Sequence, residues 1–232
     1  MTRAAFGEVT LENWITPPIN TWSFHHVREL IPTAQIEAGG RTLPLAESCG
    51  SFPNLEFAGL QDKTWTLPQL LSASRTSGFI VVKEDRIVCE HYFNGLTPSR
   101  PHLVFSVSKS ITGIIAGILA EKGIIRLDAD AVTYIPEAKG SCYEGCSVQN
   151  LLDMSADTGF TESYLDRQGD YGRYRESIGW NPHTGPGSPK DLKRFLTTMK
   201  RGNGNHGDAF HYVTPHTDFV GWILERASGK TY

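Results

Sequence analysis

Cysteine is scarce: Cys49, Cys89, Cys142 and Cys146 are the four in a chain of 232 residues. So few thiols do not build a disulfide scaffold for a chain this long, and free thiols are the expectation. A surplus of one charge is also missing, since 22 Lys and Arg stand against 25 Asp and Glu for a net charge of -3. With no run of one sign to capture a polyanion, nucleic acid is not an expected partner. The richest apolar stretch, Ile111 to Ala120, carries Thr112 and two glycines. It falls well short of the roughly 18 residues that a membrane span needs, so no membrane partner is expected. The start, Met1-Thr2-Arg3-Ala4-Ala5-Phe6-Gly7-Glu8, meets acidic and polar residues before any apolar stretch of signal length. No export signal is read, and a cytoplasmic location is expected.

What is present suffices for a core: 39% of residues are hydrophobic and 10% aromatic. The first 70 or so residues interrupt short apolar groups with Pro and Gly, as in Trp14-Ile15-Thr16-Pro17-Pro18, and predict loops that wrap a core. From Phe79 the pattern changes. Phe79-Ile80-Val81-Val82, the polar Lys83-Glu84-Asp85-Arg86 and Ile87 to Phe93 predict a two-stranded hairpin over 79–93. A helix over 106–121 follows, with apolar residues at 107, 111, 114, 115, 118 and 119 lining one stripe that predicts burial. Lys122-Gly123 closes it. Shorter helices are predicted over Gln149 to Met154, Lys190 to Lys200 and Asp218 to Ala227, and no comparable strand signal recurs after Phe93. The organisation read from this is an α/β part over 1–125, holding the hairpin and the 106–121 helix, and a helical domain over 126–232.

Several patterns are decoys. Gly202 to Gly207 spells G-x-G-x-x-G, but a helix precedes it where a nucleotide fingerprint needs a strand, so a flexible connection between helices is expected. Gly229-Lys230-Thr231 resembles the end of a phosphate loop, yet Leu224 occupies the place of its first glycine. His206, His211 and His216 recur every five residues, which scatters them around a helix and favours surface or structural roles. Cys142 and Cys146 would seat a metal only with ligands converging from elsewhere. Neither a metal nor a cofactor is expected.

The residues that carry chemistry are Ser106-Val107-Ser108-Lys109, the only S-x-x-K in the chain. Ser and Lys three apart at a helix start share one face, so the amine can take the hydroxyl proton that makes serine a poor nucleophile. With 17 Ser and 9 Lys, chance alone supplies about 0.7 such matches, so the surroundings decide. The serine meets the positive end of a helix and its free N–H groups, one of which could supply half of an oxyanion hole. Lys109 is the only charged residue from Leu103 through Ala120, a costly place for a charge with no partner.

This segment, followed by Gly123-Ile124-Ile125-Arg126-Leu127-Asp128-Ala129 and Leu151-Leu152-Asp153-Met154-Ser155, resembles the penicillin-recognising serine hydrolases. With Phe210 to Thr214 and Asp218 to Arg226, the chain is most similar, within that superfamily, to the 6-aminohexanoate-dimer (nylon oligomer) hydrolases and their carboxylesterase relatives. The resemblance implies an α+β fold with a β-lactamase-like antiparallel sheet flanked by helices, plus a helical domain. It implies acyl transfer in which Ser106 attacks an amide or ester, Lys109 helps accept its proton, and Tyr212 is the second base and acid. A phenol is a weak acid, so Tyr212 would rely on the field of Lys109. By the same resemblance Tyr164 and Trp180 lie in the loop region that closes over a small-molecule substrate. A homodimer is implied on no other ground.

The match has gaps. Tyr212-Val213-Thr214 places a hydroxyl two residues after the tyrosine where the superfamily commonly has Asn or Ser, and His216 stands where an amide side chain is expected. The family pattern also runs on past Tyr232 into the remaining core strands, which bring the second oxyanion amide, so the expectation is a chain that holds an incomplete copy of the fold. The rival readings are a carboxylesterase, a β-lactamase-like hydrolase and, from another class, a catalytically inactive binding or interaction protein.

Overall fold

The computed structural model describes residues 7–37, 39–40, 44–47, 55–59, 63–189 and 191–232. Cys49 lies outside the described residues. The chain divides into two compact units, residues 1–103 and 104–232.

In the first unit the β-branched runs pair as the sequence predicts. Strands β4 (Gly78–Lys83) and β5 (Arg86–Tyr92) form an antiparallel hairpin with a bulge between Val81 and Val82. Its turn residues Glu84 and Asp85 have φ of 51° and 58°, the left-handed pair whose twist suits a two-residue hairpin turn. The sheet is not purely antiparallel, however. The two-residue strand β1 (Ala46–Glu47) adds to β5 in parallel, giving the order β1-β5-β4. Strands β2 (Glu56–Ala58) and β3 (Thr64–Thr66) make a separate antiparallel pair. Helix α2 (Leu67–Ala73) leaves β3 through a capping box in which Thr66 and Gln69 satisfy each other's backbone N–H. Before these strands, the one-turn helix α1 (Asn20–Ser23) buries Trp22, and Trp14 is buried just ahead of it.

The second unit is helical. It holds α3 (Val107–Glu121), α4 (Val148–Leu152), α5 (Asp170–Ser177), α6 (Leu192–Thr198) and α7 (Thr214–Ser228). Helix α7 starts four residues earlier than the apolar pattern predicts, because Pro215 fits the first turn of a helix, where its missing N–H costs nothing. It stops at Gly229, whose φ of 66° is the left-handed cap position. Tyr143 stacks on Phe219 with ring centroids 3.9 Å apart, and Leu151, Leu196, Ile223 and the thiols of Cys142 and Cys146 complete a buried cluster around them.

Helix α3 differs from its predicted burial. It packs against α7 through the small residues Thr112 and Ala116, which are buried, with Ile115 and Leu119 beside them. Val107 is 64% exposed, and Ile111, Ile114 and Ile118 are exposed as well. Val107, Ile111, Ile114 and Ile118 of the predicted stripe therefore face away from the core that α3 joins, while Ile115 and Leu119 border it. Among the described residues no strand follows Tyr92, and no helix is long and apolar enough to cross a membrane.

Candidate active site

The first turn of α3 is built for exposure of one hydroxyl. Phe105 has a φ of 44°, a strained value for a bulky residue and one that turns the chain sharply into the helix. Ser106 then occupies the N-cap position with a helical φ of -67° and no capping bond from its side chain. A serine at this position ordinarily spends its oxygen on the helix. Here the amides of Val107, Ser108 and Lys109 are taken by the carbonyls of Val104, Phe105 and Ser106. That leaves the Ser106 hydroxyl, and among the described residues its own N–H, without a role in the helix end.

Two side chains converge on that hydroxyl. The Lys109 ammonium donates to Ser106 Oγ at 3.0 Å, one helical turn away. The Tyr212 hydroxyl donates to the same oxygen at 2.8 Å from 106 residues further along the chain. Lys109 Nζ also lies 5.5 Å from the centre of the Tyr212 ring. Both lone pairs of the serine oxygen are occupied by groups at proton-transfer distance, and each of those groups borders the other. Ser106 is exposed and Lys109 and Tyr212 are half-buried, so the cluster faces an opening.

Tyr212 is positioned from both sides. The N–H of His211 donates to the Met154 carbonyl at 2.7 Å, and Met154 adopts a φ of 53° to present it. On the other side, Thr214 donates its backbone N–H to Glu162 Oε2 at 2.6 Å and its hydroxyl to Oε1 at 2.8 Å. The Glu162 carboxylate thus caps the positive end of α7. The Tyr164 hydroxyl donates to Oε1 as well, at 2.9 Å, and its ring stands edge-on to Tyr171 at 4.9 Å.

Tyr164 and Trp180 do not touch Ser106, but each is tied to the cluster. Trp180 meets Phe105 edge-on at 5.8 Å. Tyr164 shares Glu162 with the residue two beyond Tyr212. One turn into α7, Asp218 accepts a 2.6 Å bond from Tyr174. Loss of solvation pushes its carboxyl up to about 6, against the Tyr174 bond and the field of Lys109, which favour the ionised form. Desolvation likewise pushes the Tyr174 phenol well above its ordinary value and Tyr171 to about 12. Glu162, Asp218 and Tyr174 escaped the sequence reading because their partners lie 52 and 44 residues away along the chain.

The other sequence patterns resolve simply. The Gly202 to Gly207 connection is held rather than flexible: Asp157 Oδ1 accepts from Gly204 N–H at 3.2 Å, and His206 Nδ1 accepts from Asp157 N–H at 2.9 Å. His216 is buried against the Ala156 carbonyl, and desolvation lowers its pKa to about 4.

The beta-lactamase family model matches residues 57–232. The chain belongs to the beta-lactamase family. Within this family it is 36% identical over 229 residues to the 6-aminohexanoate-dimer hydrolase of Paenarthrobacter ureafaciens, covering 99% of this chain and 56% of that protein. A solved Bacillus anthracis structure, provisionally described as a 6-aminohexanoate-dimer hydrolase, superposes with a TM-score of 0.86 at 26% identity over 96% of this chain and 58% of the other. The fold is shared too with EstCE1, a hydrolase with promiscuous acyltransferase activity, at a TM-score of 0.51 and 19% identity over 71% of this chain and 45% of that one. This beta-lactamase-family chain spans a little over half the length of the first two relatives.

Proposed function

We propose that the chain is a serine hydrolase of linear amides or esters that works through an acyl-enzyme. The observation that carries this reading is the convergence of the Lys109 ammonium and the Tyr212 hydroxyl on one exposed serine oxygen that the helix leaves free. In the reacting form one member of the pair has given up its proton, and Ser106 Oγ attacks the carbonyl carbon as its own proton passes to that deprotonated Lys109 amine or Tyr212 oxygen. The Ser106 N–H, at the positive end of α3, is aimed to donate to the oxyanion that forms. Collapse of the tetrahedral intermediate breaks the C–N or C–O bond, and the same pair returns the proton to the departing amine or alcohol. Water then repeats the sequence in reverse to release the acid. Tyr164 and Trp180 are the substrate walls of this reading. An amide is the preferred substrate class because the 36% identical relative is named a 6-aminohexanoate-dimer hydrolase.

Intact mass of the purified chain before and after a fluorophosphonate tests the proposal. One adduct on the wild type and none on Ser106→Ala is the expected result. No adduct on the wild type overturns the reading and favours a binding protein that keeps the residues without the reactivity.

A further inference from the structure

Past the end of α7 the chain turns back on itself. Gly229 adopts a φ of 66°, and the N–H of Lys230 donates to the Ser228 hydroxyl at 3.2 Å. The ring of Tyr232 comes to rest on Gly221 of α7, so close that a Cβ there would lie 2.7 Å from a ring carbon. Its hydroxyl bonds to the hydroxyl of Thr112 on α3. Thr112 is 2% exposed and gives its own single proton to the Ser108 carbonyl at 3.4 Å, one helical turn back. Its oxygen is left to accept from Tyr232. Tyr232 thus spans the crossing of α3 and α7, with its ring on one helix and its hydroxyl on the other.

That crossing carries the chemistry. Helix α3 holds Lys109 and opens at Ser106, and Tyr212 stands two residues ahead of α7. Among the described residues, two side-chain hydrogen bonds join α3 to the segment from Tyr212 to Tyr232: Tyr212 to Ser106, and Tyr232 to Thr112. The α3 side chains buried at the contact, Thr112 and Ala116, are small. They let the helices approach closely but offer no large knob to stop one helix turning on the other. Thr112 lies about 9 Å along the axis from Ser106 at the rise of an α-helix. A turn of α3 by about 6° at that lever moves the serine by about 1 Å, a misplacement worth as much as about 10²-fold in rate.

We infer that Tyr232 is a positioning residue for the Ser106 site: by tying Thr112 to the Gly221 face of α7, it sets the angle between the two helices and so the reach of Tyr212 to the serine oxygen. The inference rests on the hydrolase reading and adds to it a residue that touches neither the substrate nor the reacting atoms.

The test is the rate at which a fluorophosphonate labels Ser106, followed by intact mass at a temperature where circular dichroism shows each variant folded. Tyr232→Phe keeps the ring on Gly221 and removes only the hydroxyl, and it labels about tenfold slower. Thr112→Val, of nearly the same shape, shows the same loss. The double variant loses no more than either, because both substitutions remove one bond. Thr112→Ser keeps the hydroxyl and restores most of the wild-type rate. A residue that only stabilised the fold would leave the labelling rate of the folded chain unchanged throughout. Wild-type rates in Tyr232→Phe or Thr112→Val, losses that multiply in the double variant, or a Thr112→Ser chain as slow as Thr112→Val overturn the proposal. No label on the wild type is a different result: it overturns the hydrolase reading, and this inference with it.

Discussion

Glu162 grips Thr214 with both carboxylate oxygens, at 2.6 Å to its N–H and 2.8 Å to its hydroxyl. The grip fixes the start of α7 two residues after Tyr212, so one acidic side chain both caps a helix and sets the reach of a phenol to Ser106. Glu162→Ala is expected to cost about 1–3 kcal/mol of stability through the lost charged hydrogen bonds, and to slow turnover at least tenfold. Glu162→Gln, which keeps one acceptor, should lose less of both. Thermal melts and initial rates on one preparation check this; a stability loss with unchanged turnover would show that the grip does not position Tyr212.

Ser106→Ala is expected to abolish fluorophosphonate labelling while changing stability by no more than about 0.5 kcal/mol, because the hydroxyl contributes nothing to the helix end. A large loss of stability would mean that it caps α3 after all. Intact mass and a denaturant melt provide both numbers.

Tyr212→Phe and Lys109→Met each remove one donor to the same oxygen. Each is expected to slow turnover by about 10²- to 10⁴-fold, as loss of a proton-transfer group does. The double variant should lose far less than the product of the two, because groups acting as one unit are not additive. Multiplicative losses would separate the two roles.

How much of this was legible depended on distance along the chain. Ser106 and Lys109 could be read because both belong to one helical turn, and the hairpin and α3 because strong local periodicity survives folding. Tyr212 emerged only by resemblance, since nothing within its own segment marks a tyrosine as a partner for a serine 106 residues back. Glu162 and Asp218 carried no local signal at all: an isolated charge reads as solvated until the fold closes around it. The exposure of Val107, Ile111, Ile114 and Ile118 on α3 was missed for a related reason, because periodicity identifies an apolar stripe but not which neighbour covers it.

The α3 packing yields its own contrast. Ala116→Leu should cost about 1–3 kcal/mol by overpacking the crossing with α7. Ile114→Ser, on the exposed stripe, should stay within about 0.5 kcal/mol. Urea denaturation midpoints of the two variants check the difference, and equal effects would reverse the assignment of faces.

Acid stability should reflect two groups of opposite sign. His216 titrates near 4 in the fold against an ordinary 6.5, so its contribution is present above 6.5 and is lost as pH falls towards 4. Asp218 titrates near 6 against 3.8, so its contribution is present below 3.8 and is lost as pH rises through 6. The windows overlap and partly cancel. His216→Gln should therefore gain stability relative to the wild type as pH falls from 6.5 to 4, and Asp218→Asn should lose it more steeply. Denaturant midpoints across pH check this, and curves parallel to the wild type would refute it.

Burial also pushes the thiols of Cys142 and Cys146 up to about 12, and both side chains lie fully inside the helical core. A thiolate reagent at neutral pH can meet them only after that core has opened. Their alkylation rate is thus a built-in clock of how often the second unit breathes, readable by mass spectrometry as the mass each alkylated thiol gains.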